Sequence, residues 1–131
     1  MELPDDIDKF VLSSVKNQSD ARYVLFGVPE DDGASGLAYF EGSVGGPAAL
    51  RRASQLYCAF HRTENGALRT FITNSHEPIT GNSISFFDAG DKKKTDVKET
   101  VFALLKQKKF PIILGGDHSI TYEALSGANL F

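Results

Sequence analysis

The sequence predicts an α/β fold with parallel strands, and three observations carry that prediction. Two runs, Tyr23 to Val28 and Ile112 to Leu114, are apolar throughout, as strands buried on both faces of a parallel sheet are. Between a third short strand, Ile84 to Phe87, and the second run lies a helix-spaced apolar stripe of Val97, Val101, Leu104 and Leu105. A strand–helix–strand unit of this kind closes with a right-handed crossover and parallel strands. The loops after Phe87 and after Leu114 then open on the same edge of the sheet, where ligands gather in open α/β folds.

Length and composition set the bounds. The 131 residues suffice for one small domain, and 41% hydrophobic with 24% charged residues is ordinary for a soluble globular chain. A net charge of −3 gives no electrostatic case for nucleic acid or an anionic membrane. The single cysteine, Cys58, excludes an internal disulfide framework and fits a reducing compartment. No apolar run has the length of a membrane span, and the N-terminus has neither the basic nor the apolar region of a signal peptide. A cytoplasmic location is expected.

Taken in order, Asp5 or Asp6 caps a first helix with Ile7, Phe10, Val11 and Val15 on one face. Asn17 to Asp20 breaks it, and the strand Tyr23 to Val28 follows. A long glycine-rich loop, of the length that tends to be functional, runs to about Gly46. Pro47 suits the first position of a helix to roughly Ala59, which carries Arg51 and Arg52. Leu68 to Thr73 is a candidate strand, and Asn74 to Asn82 a loop. Asp96 and Glu99 have the spacing of a capping box before the next helix, and Lys106, Lys108 and Lys109 suit its negative end. A final helix begins at Ser119, with Gly127 placed to end it.

The chemistry concentrates in Gly115-Gly116-Asp117-His118-Ser119. The glycines let the chain turn and let another segment approach closely. Imidazole with carboxylates suits a divalent metal; a Ser–His–Asp triad and an anion-binding helix N-terminus are the other functional readings. Neighbours on one turn rarely face one another as a triad requires, and the double glycine at a sheet edge favours the metal. In the purely structural reading, Asp117 or Ser119 caps the helix and His118 packs. Asp88 and Asp91 read as ligands, as residues that orient ligands, or as a strand-ending turn. Gly42-Ser43-Val44-Gly45-Gly46 lacks the lysine of a phosphate loop and is read as structural. Lys92-Lys93-Lys94 and the later lysines read as solvated surface. Cys58, His61 and His76 have no partners at ligand spacing.

Pro111-Ile112-Ile113-Leu114-Gly115-Gly116-Asp117-His118-Ser119-Ile120-Thr121 resembles the first signature of the ureohydrolases, the family of arginase, agmatinase and formimidoylglutamase. Three further stretches agree in order and distance. Val24 to Asp31 resembles the family's first strand and loop, Gly45-Gly46-Pro47-Ala48-Ala49-Leu50-Arg51 its helix start, and Ile84 to Asp91 its strand ending in Asp-x-Gly-Asp. The resemblance covers nearly the whole chain from Tyr23 onwards. It implies a three-layer αβα fold and two Mn²⁺ ions bridged by a hydroxide that attacks an amidine or guanidinium carbon. A metal lowers the pKa of its water and supplies such a nucleophile at neutral pH. By the resemblance His118 is the first metal ligand, while Asp88, Asp91 and Asp117 have supporting roles at most.

The family's later motifs, Asp-x-His-x-Asp and Asp-x-Asp, have no counterpart in these residues. One imidazole does not hold two Mn²⁺ ions, which favour several oxygen ligands. The expectation is therefore the N-terminal portion, residues 1–131, of a single ureohydrolase-like domain, with an incomplete sheet and no activity by itself. The substrate of the complete enzyme would be a small linear guanidino or formimino compound. The expected protein partner is a further copy of the chain or a complementary C-terminal chain. The alternative is a non-catalytic remnant serving as a binding or assembly module.

Overall fold

The computed structural model describes residues 10, 15–34, 42–62, 68–72 and 85–131, with the backbone alone for 34, 56–62 and 68–72. Two sheets are present among them. The main one is parallel, with strand order β4-β1-β5, where β1 is Tyr23–Val28, β4 Phe86–Asp91 and β5 Phe110–Gly115. The other is an antiparallel pair of β2, Cys58–Arg62, and β3, Leu68–Ile72. The helices are α1 Gly46–Tyr57, α2 Val97–Lys106 and α3 Ile120–Asn129. No helix among the described residues is long and apolar enough to cross a membrane.

Strand β1 is the centre, and its side chains alternate between the two faces as strand residues must. Val24, Phe26 and Val28 enter one buried cluster with Val97, Val101, Leu104 and Ile120 from α2 and α3. Leu25 and Gly27 face the other way, where a Cβ on Gly27 would lie 2.7 Å from the Cβ of Pro47 at the start of α1. Helices therefore cover both faces, and the predicted three-layer α/β arrangement with a parallel sheet is present. The predicted β4–α2–β5 unit has parallel strands, but they are not neighbours: β1 lies between them and pairs with both.

Strand β5 corrects the sequence reading. Its run of apolar residues predicts burial on both faces, yet Pro111 to Gly115 are only half-buried. It is an edge strand, paired with β1 alone among the described residues. Strand β4 extends further than predicted, taking in Asp88 to Asp91, whereas Ile84 lies outside the described residues.

The helix ends also differ from expectation. Asp96 stands at the N-cap of α2 without a side-chain capping bond. That helix closes through paired bonds, Lys108 N–H to Leu105 O at 2.8 Å and Lys109 N–H to Leu104 O at 2.9 Å, with Lys108 at φ 56° where glycine is usual. Lys109 is buried rather than solvated. Its Nζ donates to the carbonyls of Gln18, Ser19 and Ala21 at 2.7–2.8 Å. Gly127 does not end α3 but lies buried within it. A Cβ there would sit 2.4 Å from the Lys98 carbonyl, so the glycine lets α3 pack closely on α2.

Of the first predicted helix only Phe10 and Val15 are described. Phe10 stacks on Phe86 at 6.0 Å between centroids, and the Val15 N–H donates to the Phe86 carbonyl at 3.2 Å. The predicted loop from Asn74 to Asn82, with His76, lies outside the described residues.

Candidate functional site

The loops at the carboxyl ends of β1, β4 and β5 meet on one edge of the sheet, and two polar networks tie them together. The first is built on Arg51, which sequence reasoning placed on α1 without a role. Its Nε and Nη2 donate to Asp88 Oδ2 and Oδ1 at 2.8 and 2.9 Å, and its Nη1 donates to Asp91 Oδ1 at 2.5 Å. Two acids three residues apart on a regular strand point to opposite faces. Here a bulge brings them together: Leu25 pairs with Asp88 and Gly27 with Asp91, so β4 contains one extra residue. Gly90 takes φ 72° within that bulge, a conformation glycine adopts without penalty. The spacing Asp-x-Gly-Asp is thus what lets one guanidinium bind both carboxylates.

Asp88 is fully buried, and it also accepts the N–H groups of Phe10 at 2.7 Å and Gly90 at 2.9 Å. Burial alone would push its carboxyl up. The Arg51 hydrogen bonds and the two backbone donors outweigh that and hold it below the ordinary carboxylate range. The Asp88 hydrogen bonds in turn raise Arg51 above its already high value, against the effect of burial.

The second network surrounds His118. Gly116 has no room for a side chain, since a Cβ would lie 2.1 Å from the carbonyl oxygen and 2.5 Å from the nitrogen of Glu30. Close approach, as the sequence suggested, is what this glycine provides. The loop after β1 then docks through Gly116 N–H to Val28 O and Asp117 N–H to Glu30 O, both at 2.8 Å. The Asp117 carboxylate accepts Gly33 N–H at 2.6 Å and Ser119 N–H at 2.7 Å. Ser119 stands at the N-cap of α3 without a side-chain capping bond, and its Oγ instead accepts Lys94 Nζ at 2.9 Å. Lys94 is therefore part of this edge and not only solvated surface. His118, at the apex of the turn, is exposed and does not pack.

The glycine-rich segment at 42–46 does hold an anionic group, one belonging to the chain itself. Asp31 accepts Gly42 N–H at 3.2 Å, Val44 N–H at 2.7 Å and the Ser43 hydroxyl. These bonds, the Ser43 one foremost, keep its carboxyl below the ordinary range. Nothing in the sequence pairs Asp31 with Ser43; loop closure alone brings them together.

The four candidate residues thus share one edge but not one cluster. Asp88 and Asp91 face Arg51, Asp117 binds backbone, and His118 faces solvent. Among the described residues no group of three or more His, Cys, Asp or Glu side chains could hold a metal ion. A lone imidazole does not fit a binuclear manganese centre, so the residues described here do not by themselves form one. The side chains of Cys58 and His61 lie outside the description.

Comparison with known proteins accords with this architecture. The sequence profile of the arginase family matches residues 21–130. The chain belongs to the arginase family. An uncharacterised 32.2 kDa protein of Methanothermus fervidus is 36% identical over 113 residues, covering 84% of this chain and 36% of that protein. The crystal structure of the agmatine ureohydrolase of Thermoplasma volcanium superposes with a TM-score of 0.62 at 29% identity, covering 89% of this chain and 37% of the other. The chain therefore spans little more than a third of the length of either relative.

Proposed function

We propose that this chain is the N-terminal part of a manganese-dependent ureohydrolase that cleaves a C–N bond of a linear guanidino or formimino compound, and that it has no such activity alone. Support comes chiefly from the placement of Gly-Gly-Asp-His-Ser: His118 stands exposed at the carboxyl end of β5, on a turn braced by Asp117, in a chain of the arginase family. In this reading His118 is one metal ligand, and Asp117 holds the turn that presents it. Asp88 and Asp91 support the edge through Arg51. The remaining ligands come from polypeptide outside these residues, as the length of the relatives suggests. The solved neighbour's name makes agmatine the first substrate to test, with formiminoglutamate second.

The test is manganese titration by calorimetry, on this chain and on a complete enzyme that contains it. The chain alone is expected to show no pair of tight sites. His118→Ala in the complete enzyme is expected to weaken manganese binding. Two tight sites on the chain alone, or unchanged affinity in the His118→Ala variant, would refute the assignment.

A further inference from the structure

We propose that the carbonyl groups of Gln18, Ser19 and Ala21 form a binding site for a monovalent cation, and that the Lys109 ammonium is the ion the chain itself supplies to it. The three oxygens accept Lys109 Nζ at 2.8, 2.8 and 2.7 Å. An ammonium has three N–H donors, and each finds an oxygen here. No carboxylate among the described residues pairs with Lys109. Backbone carbonyl dipoles thus replace the water that this buried cation has lost.

The distances discriminate between ions. Magnesium demands oxygens at about 2.0–2.1 Å and calcium at about 2.3–2.6 Å, so the cradle is too wide for either. It suits potassium, whose hydration shell backbone carbonyls replace in channel filters, and ammonium, which is close to potassium in size. Arginine would be a poor substitute for the lysine, because its planar fork does not direct three donors to a tripod of oxygens.

The cradle keeps its shape through bonds that do not involve Lys109. Asp20 N–H donates to Asn17 O at 3.2 Å and Ala21 N–H to Gln18 O at 3.1 Å. The Asp20 carboxylate accepts the Ser19 hydroxyl at 3.1 Å, and Arg22 N–H donates to Ser85 Oγ at 2.8 Å. Lys109 is fixed from its own side: its N–H closes α2 on Leu104 O, and the N–H of Phe110 donates to Arg22 O at 2.7 Å. The cation therefore ties the turn ahead of β1 to the start of β5. Both strands begin there, so the site lies at the end of the sheet opposite His118. Gln18 and Ser19 also precede the stretch that the arginase-family profile matches, residues 21–130. Neither family membership nor the catalytic reading supplies this site.

The test is rescue by free cations. Lys109→Ala empties the cradle, and a melting temperature lower by about 10 °C is expected. Ammonium chloride or potassium chloride is expected to restore about 5 °C in a saturable way. The same salts should slow amide exchange at Ala21 and Phe110, which the substitution speeds up. Tetramethylammonium chloride at equal ionic strength is too large for the cradle and is expected to restore neither. Lys109→Met fills the space with a methyl group and is expected to gain nothing from ammonium. In the unmodified chain, NMR of the lysine side-chain nitrogens is expected to show Lys109 ammonium protons protected from water, coupled through their hydrogen bonds to the three carbonyls. The proposal is overturned by an unchanged melting temperature in Lys109→Ala, by failure of both ammonium and potassium to rescue it, by rescue that tetramethylammonium matches, or by Lys109 ammonium protons that exchange freely in the unmodified chain. Where Lys109→Ala does not fold under any of these conditions, the spectrum of the unmodified chain decides.

Discussion

The carboxylates at the edge of the sheet are held in two different ways. Asp88 is buried and meets a guanidinium, while Asp117 and Asp31 lie nearer solvent and are held largely by backbone N–H groups. The first arrangement joins a helix to a strand through fixed charge. The second joins loop to loop through partial charges. Removing one member should therefore cost much more in the first than in the second, because an unpaired buried charge has no recourse to water.

The largest effect expected is from Arg51→Ala, which leaves the Asp88 carboxylate buried without its cation. A loss of about 3–5 kcal/mol in unfolding free energy is expected by denaturant titration. The comparison sharpens with pH. The folded-state value of Asp88 lies below its unfolded value of about 3.9, so the unfolded chain binds more protons as the pH falls. The stability from this group is complete above the ordinary carboxylate range and is lost as the pH falls through the folded value. Since Arg51 favours the charged carboxylate, the cost of Arg51→Ala should shrink between pH 7 and pH 3. A cost that does not change with pH would mean that packing, not charge, dominates the pair.

Gly116→Ala comes next. Its new methyl group would collide with the backbone of Glu30, which cannot rotate aside as a side chain can. A loss of about 3 kcal/mol is expected, with faster amide exchange at Asp117 as the loop after β1 lifts away. Asp31→Ala should cost less than either, because water replaces the lost acceptor for the N–H groups of Gly42 and Val44. Its measurable trace should be faster exchange at Val44. Smallest of all is Asp96→Ala, within about 0.5 kcal/mol, since that side chain makes no capping bond to α2.

What could be read beforehand follows the same division. Apolar periodicity depends on neighbours a few positions apart, and it located β1, α2 and the parallel character of the sheet. The edge carrying His118 was legible too, because Gly-Gly-Asp-His-Ser combines backbone freedom with polar side chains at a strand end. Arg51 was missed because its partners depend on a bulge that changes which face Asp91 occupies; only the glycine within Asp-x-Gly-Asp hints at it. Asp31 and Lys109 were missed because their partners are loop groups brought close by tertiary folding. The error over β5 is of another kind: its sequence suits more neighbours than the described residues supply.

The central position of β1 has a consequence in time. Tyr23 to Val28 is made early, but its partners on either side, Phe86 to Asp91 and Phe110 to Gly115, emerge much later. At about 5–20 residues per second, this buried apolar strand waits roughly 5–20 seconds before its second neighbour exists. Until Phe86 to Asp91 is made it has neither neighbour, and its other edge stays open until Phe110 to Gly115 follows. The strand that organises the finished sheet is thus the one that waits longest for both of its neighbours during synthesis.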